Sequence, residues 1–375
     1  MLKRYLETQI RSDLKEKMVF IGGPRQSGKT TVAKKFGPED SYLNWDYPKD
    51  REHILKLNLP STDIWILDEI HKYKNWRNLL KGLYDKNKGQ KDILVTGSAR
   101  LDLLRRGGDS LQGRYHFLRL YPLTLDELSS HKQSDLEDLF QLGGFPEPFL
   151  LGSKKASRRW SQEYRSRILQ EDIGSVELIE DLGKAELLLI NLPQRVSSPL
   201  SVNSLREDLD VSHRAVSRWL NIFEKFYAIF MLNPFGAKGL RVLKKEKKHY
   251  HFDWTVIENE GARFECMMAL HLLKRVHFLN DSEGMDYELC YFRDSTKREV
   301  DFVVSKKKKP ILFVEAKLSQ VSMSPDLRYL KRKFTDVPAY QIHFRDGKDY
   351  VNAEEGIEFM SAQRFLSEKL SLILK

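Results

Sequence analysis

A chain of 375 residues with 41% hydrophobic and 31% charged residues points to two or three folded domains and excludes general disorder. Its two cysteines, Cys266 and Cys290, have no CxxC spacing and no nearby histidine pair, which excludes a disulfide scaffold and a structural zinc. No apolar run reaches the roughly 18 residues of a membrane helix, and "MLKRYLETQIRSDLKEK" lacks an apolar signal core, so a cytoplasmic protein with no membrane partner is expected.

The formal charge of +10 is clustered in "KKEKK" at 244–248, "KKKK" at 306–309 and "KRK" at 331–333. Such clusters suit a polyanion, above all nucleic acid, and are equally the solvated lysines of hairpin tips. Charge alone does not choose between the two.

Up to about residue 130, short apolar runs ("MVFIGG", "DIWILDE", "DILVTGS") alternate with amphipathic helical stretches, the pattern of a parallel sheet with crossover helices. The first run leads into Gly23, Pro24, Arg25, Gln26, Ser27, Gly28, Lys29 and Thr30, which fit G-x-x-x-x-G-K-[ST] in full, and Thr31 then opens a helix. That loop cradles phosphates on backbone amides, Lys29 reaches the β and γ oxygens, and the Thr30 hydroxyl holds Mg²⁺, so ATP and Mg²⁺ are the expected cofactors. The second run ends in Asp68 and Glu69, one to hold Mg²⁺ through water and the other to polarise the attacking water. The bland alternative for this pair is a helix N-cap. The third run ends in Thr96, Gly97 and Ser98, where an ATPase needs a γ-phosphate sensor. Arg114 precedes a further strand, either as an arginine supplied to a neighbouring subunit's nucleotide or as a surface residue without a role.

From residue 131 to 198 the chain reads as mostly helical, with Gly143, Gly144, Pro146 and Pro148 marking a turn between two pieces. Residues 199–252 hold a short helix, a turn at Asp210 and Val211, and a second helix capped by Ser212. Ala215, Val216, Trp219, Leu220 and Phe223 share one face of that second helix, leaving Arg214, Ser217, Arg218 and Asn221 on the other as candidate DNA contacts or a solvated face. A hairpin with a basic loop follows, which is the order of parts of a winged helix. Residues 253–375 read as helix, strand, strand, strand, helix, strand.

"GGPRQSGKTT", "WILDEIHKYKNW", "LVTGSARL", "QGRYHFLRLYPLTLDEL" and "GGFPEPF" together resemble a prokaryotic family of AAA-type P-loop ATPases with a helix-turn-helix and a C-terminal PD-(D/E)xK nuclease-like domain. The resemblance implies an α/β chain: an ATPase core with a P-loop parallel sheet (1–130), a helical lid (131–198), a winged helix (199–252) and a C-terminal α/β nuclease-like domain (253–375). It puts the Walker roles on Lys29, Thr30, Asp68 and Glu69, and implies a homo-oligomer in which Arg114 acts in trans.

In the last domain Asp301, then Glu315-x-Lys317, is similar to the nuclease signature, with Glu265 at the helical acidic position. Metal-dependent cleavage needs carboxylates converging on Mg²⁺ and a lysine at the phosphate. Three outcomes stay open: a Mg²⁺ site that cleaves, a domain that only binds, and a salt-bridged structural hairpin. The function expected is an ATP-hydrolysing protein that binds DNA and cleaves it with Mg²⁺. The alternative is a nucleotide-switched interaction protein whose last domain binds without cleaving.

Overall fold

The apolar runs at the start of the chain become strands buried on both faces, as a parallel sheet covered by helices requires. They are β1 (Met18–Gly22), β2 (Tyr42–Asn44), β3 (Ile64–Asp68), β4 (Asp92–Thr96) and β5 (Tyr115–Arg119). This computed structural model describes residues 2–97, 111–128, 130–173, 181–236, 246–319 and 322–375. The chain divides into two compact units, Met1–Pro122 with Lys225–Tyr227 and Leu123–Glu224 with Ala228–Lys375.

In the first unit all pairings are parallel and the strand order is β2-β3-β4-β1-β5, a five-stranded arrangement typical of P-loop ATPases. Phe20, Trp65, Trp76, Leu80, Val95 and Phe117 are among the buried residues of one core cluster. The functional residues gather where β1 and β3 end, outside the carboxyl edge of the sheet, where open α/β sheets bind their ligands.

The second unit begins with helices Gln133–Leu142, Pro146–Leu151, Lys154–Arg167 and Leu182–Asn191. Gly143 closes the first with φ 83° and Pro146 opens the second, the glycine-after, proline-before pattern expected of that turn. Helix Val202–Leu209 then ends on Asp210 in the left-handed region, and Ser212 Oγ accepts the Ala215 N–H at 3.1 Å as the cap of helix His213–Lys225. Val216, Trp219, Leu220 and Phe223 are buried, while Arg214, Arg218 and Asn221 are exposed and Ser217 is half-buried.

The remaining strands are β6 (Ile229–Pro234), β7 (Lys248–His251), β8 (Tyr287–Arg293), β9 (Glu299–Lys306), β10 (Lys309–Ser319), β11 (Ala339–Arg345), β12 (Tyr350–Asn352) and β13 (Ile357–Ser361). They form one mixed sheet in the order β12-β13-β11-β10-β9-β8-β6-β7. The hairpin after the helix pair therefore does not stand apart. β6 pairs antiparallel with β7 and parallel with β8, joining Asn233 to Cys290, so the sheet runs across the boundary expected at residue 252. Helix Glu260–Glu283 packs against β8, β9 and β10, and helix Pro325–Lys333 connects the parallel strands β10 and β11. Lys307 and Lys308, both at positive φ, form the exposed β9–β10 tip.

Candidate functional site

The phosphate loop follows β1 without a break. Gly23, at φ 131°, has no room for a side chain, since a Cβ there would lie 2.3 Å from the Leu120 carbonyl oxygen. Gly28, at φ 94°, delivers the chain to helix Lys29–Ala33 in a conformation that glycine adopts freely. Gly23, Pro24, Ser27 and Lys29 are buried, Arg25, Gln26, Gly28 and Thr30 are half-buried, and Thr31 is exposed. The Lys29 ammonium lies inside the loop, donating to the carbonyls of Gly23 (3.1 Å) and Pro24 (2.5 Å), the centre of a turn built to receive phosphate oxygens. Buried Arg4, which sequence reasoning passed over, donates to the Ser27 carbonyl (2.6 Å) and the Tyr121 carbonyl (2.5 Å) and so braces the loop from outside.

Asp68 ends β3 beside Thr96 of β4, and three hydroxyls fix its carboxylate. Oδ2 accepts from Thr30 Oγ1 (2.8 Å) and Tyr42 Oη (2.8 Å), and Oδ1 accepts from Thr96 Oγ1 (2.5 Å). Tyr42 is a site residue that the sequence did not disclose, because β2 is three residues long and carries no motif. Burial first, then the Asp68 charge, raises its phenol, which stays protonated and able to donate. Glu69 follows at φ 56°, its N–H on the Thr96 carbonyl, its carboxylate 3.5 Å from Lys72 Nζ and 3.6 Å from His71 Nε2. Burial raises the Glu69 carboxyl above its ordinary range, with Lys72 opposing, which moves it toward the range of a working general base. Glu69 occupies the N-cap position of the short helical turn that follows, but its side chain accepts no N–H of that turn.

Thr30 and Asp68 supply adjacent hard oxygen atoms, the donor types Mg²⁺ takes, and so fit that ion. Ser98 lies outside the described residues. Arg114 pairs with Asp85 of its own chain, Nε to Oδ1 at 2.7 Å and Nη2 to Oδ2 at 3.0 Å, with both side chains partly exposed.

In the second unit Glu265, Asp301, Glu315 and Lys317 do come together. One residue of β8, Tyr291, lies between the Cys290 and Phe292 pairings and opposes two of β9, Asp301 and Phe302, so Asp301 sits at a bulge, a device that re-aims a side chain. Asp301 Oδ2 accepts the Ala316 N–H (3.0 Å), Glu315 Oε2 accepts the Asp301 N–H (3.3 Å), and Lys317 Nζ lies 2.7 Å from Glu315 Oε1. Burial, then the charges of Glu265 and Glu315, raises the Asp301 carboxyl well above the carboxylate range.

The cluster contains three further residues that the sequence reading missed: Lys248, Tyr250 and Glu299. Lys248 Nζ lies 2.6 Å from Glu299 Oε1, 3.2 Å from Glu265 Oε1 and 3.6 Å from Asp301 Oδ1, and Tyr250 Oη donates to Glu265 Oε1 at 2.6 Å. Lys248, the last residue of "KKEKK", is 0% exposed, so for it neither expectation, a polyanion contact or a solvated lysine, holds. Burial alone would lower its ammonium, but Glu265, Asp301 and Glu299 outweigh it and hold the charge firmly. Among the described residues, no three His, Cys, Asp or Glu side chains converge as a metal-binding group.

Comparison with known proteins follows the same division. Residues 15–129 match the family described as AAA domain, while residues 133–258 and 260–365 match two families each described as a domain of unknown function. An uncharacterized protein of Methanocaldococcus jannaschii is 22% identical over 369 residues, covering 88% of this chain and 81% of its own. One from Mycobacterium tuberculosis is 24% identical over 327 residues, covering 83% and 73%. Among solved structures, that of the Aeropyrum pernix ORC1 protein in complex with DNA aligns with a TM-score of 0.33 at 16% identity, covering 69% of this chain and 92% of that one. Over residues 15–129 the chain is thus similar to AAA domains, and the geometry of Lys29, Thr30 and Asp68 agrees with that match.

Proposed function

We propose that the protein hydrolyses ATP at Lys29, Thr30, Asp68 and Glu69 and engages DNA through its second unit, in which the helix pair and hairpin act as a winged helix and the last domain is nuclease-like. The observation that carries the first part is the triple hydrogen bonding of Asp68 by Thr30, Tyr42 and Thr96 beside the phosphate loop. A carboxylate held that rigidly is pre-organised, with no reorganisation left for the moment of reaction. When bound, Mg²⁺ on Thr30 and Asp68 would neutralise charge developing on the phosphate oxygens. Lys29 would leave its two carbonyls for the phosphates, and Glu69 would orient the attacking water.

For DNA, support comes from the exposed Arg214, Arg218 and Asn221 on one helix face, with Ser217 between them, and from the lysine tip at 306–309. The order helix, β8, β9, β10, helix, β11, with Asp301, Glu315 and Lys317 adjacent, supports the nuclease-like assignment. In the homo-oligomer that the AAA resemblance implies, Arg114 would have to release Asp85. A solvent-exposed pair of this kind contributes little, so its release is a small obstacle.

The test combines ATP turnover with a salt titration of DNA affinity. Lys29→Ala should abolish turnover, and full turnover in that variant would remove the nucleotide assignment. If 6 to 10 phosphates are contacted, affinity falls by about 10³ to 10⁵ between 50 and 200 mM salt, and each of Arg214→Ala and Arg218→Ala flattens the slope by about one unit. Weak, salt-insensitive binding untouched by either variant would leave the protein a nucleotide-switched interaction protein.

A further inference from the structure

The nuclease-like reading creates an expectation that a divalent metal sits among Glu265, Asp301 and Glu315, and the residues present do not fit it. Buried carboxyl groups crowd together around a counter-charge or by one of them keeping its proton, and here a counter-charge is already in the polypeptide. Lys248 opens β7, opposite Leu232 of β6, and its backbone also bridges to Pro199. Its side chain is wholly enclosed, and its ammonium touches carboxylates from helix Glu260–Glu283 and from two positions on β9. Tyr250, two residues along the same strand and therefore on the same side, occupies Glu265 from a second direction.

Oxygens of Asp301, Glu315 and Glu299 are engaged too. Asp301 Oδ2 and Glu315 Oε2 accept backbone N–H groups, Glu315 Oε1 faces Lys317, and the far side of Glu299 is held by Arg293 Nη1 at 2.5 Å. A Mg²⁺ or Mn²⁺ ion binding between Glu265 and Asp301 would have to coexist with the Lys248 ammonium a few ångströms away or expel it. The first sets two cations against each other at short range, and the second strands a buried ammonium without a counter-ion.

We infer that Lys248 is the resident cation of this cluster, that the cluster takes no divalent metal, and that the nuclease-like domain works as a metal-independent binding module. The ammonium does mechanically what a metal does elsewhere, tying the β6–β7 hairpin to helix Glu260–Glu283 and β9. This rests on the nuclease-like reading only for the expectation of a metal, and its readout is separate from ATP turnover and from DNA affinity.

The experiment is Mn²⁺ titration of the full-length, nucleotide-free protein, followed by the loss of the free-ion electron paramagnetic resonance signal, for wild type, Asp301→Asn and Lys248→Met. Wild type and Asp301→Asn should bind Mn²⁺ alike, with no micromolar site that depends on Asp301. A micromolar site in wild type that Asp301→Asn removes would overturn the inference, as would Mn²⁺-dependent DNA cleavage lost in that variant. Lys248→Met, which keeps the stem and deletes the charge, should gain one Mn²⁺ site, together with a melting temperature that rises as Mn²⁺ is added. A folded Lys248→Met protein that gains no site also counts against the inference. Should Lys248→Met not fold, the comparison of wild type with Asp301→Asn decides the question alone.

Discussion

Tyr42 Oη and Thr30 Oγ1 donate to the same oxygen of Asp68, each at 2.8 Å, from elements on opposite sides of β3's end. The carboxylate proposed to order the magnesium shell is thus set by β2 as well as by the phosphate loop. Tyr42→Phe removes one hydrogen bond and no packing. The loss of about 1 kcal/mol should appear as a roughly fivefold fall in kcat for ATP, with KM changed less than twofold. Steady-state kinetics on the two proteins decide it, and an unchanged kcat means Tyr42 only fills space.

Glu69 has its carboxyl raised by burial, with Lys72 as the largest influence in the other direction. The acid limb of the kcat–pH profile therefore lies above the ordinary glutamate range. Lys72→Met removes the opposing charge and should move that limb to higher pH, while Glu69→Gln should abolish turnover and leave ATP binding intact. A limb that stays in place in Lys72→Met assigns the titration to another group.

Lys274 is buried on helix Glu260–Glu283, with Nζ 2.8 Å from buried Glu127 and 2.9 Å from Asp126. Lys274→Met takes the ammonium away from the enclosed Glu127 carboxyl, which should cost about 3–5 kcal/mol in urea unfolding of the second unit. Adding Glu127→Gln should restore part of that loss, because the buried acid that needed the ammonium is gone. A double variant no better than the single one would mean the loss is packing.

His271 is neutral by construction. Its Nε2 accepts the Leu125 N–H at 3.2 Å and its Nδ1 lies 2.8 Å from the Met267 carbonyl, while burial lowers the imidazole to about 4. With the folded value below the unfolded one of roughly 6.5, the unfolded chain takes up the extra proton between these limits. The stability contribution is full well above pH 6.5, falls as pH drops toward 4, and then levels, a loss of about 3 kcal/mol from this residue. His271→Gln should flatten that part of the stability profile relative to wild type, as denaturation midpoints at successive pH values will show.

The parts of the molecule built from contiguous residues were legible in the sequence. The phosphate loop, Asp68 with Glu69, and the helix pair with its turn at Asp210 all follow from local chemistry, glycine placement and capping. Glu265, Asp301, Glu315 and Lys317 were legible as a group because their spacing along alternating elements carries the information. Lys248 was not, since a lysine in a run of lysines reads as solvated until a strand register turns it inward. The merging of β6 with β8 was equally hidden, because that pairing joins Asn233 to Cys290 across an intervening long helix. Tyr42 acts from a strand too short to leave a pattern.

The continuity of the mixed sheet through β6 and β7 bears on how this protein can be taken apart. A fragment starting at Asp253 would look complete by its own helix and strand order. It would nevertheless expose the backbone of β8 as a raw edge, open to pairing with other chains. It would also leave Glu265, Glu299 and Asp301 facing one another with no ammonium between them. The natural cut for making the last domain alone is upstream of Ile229, and the hairpin travels with it.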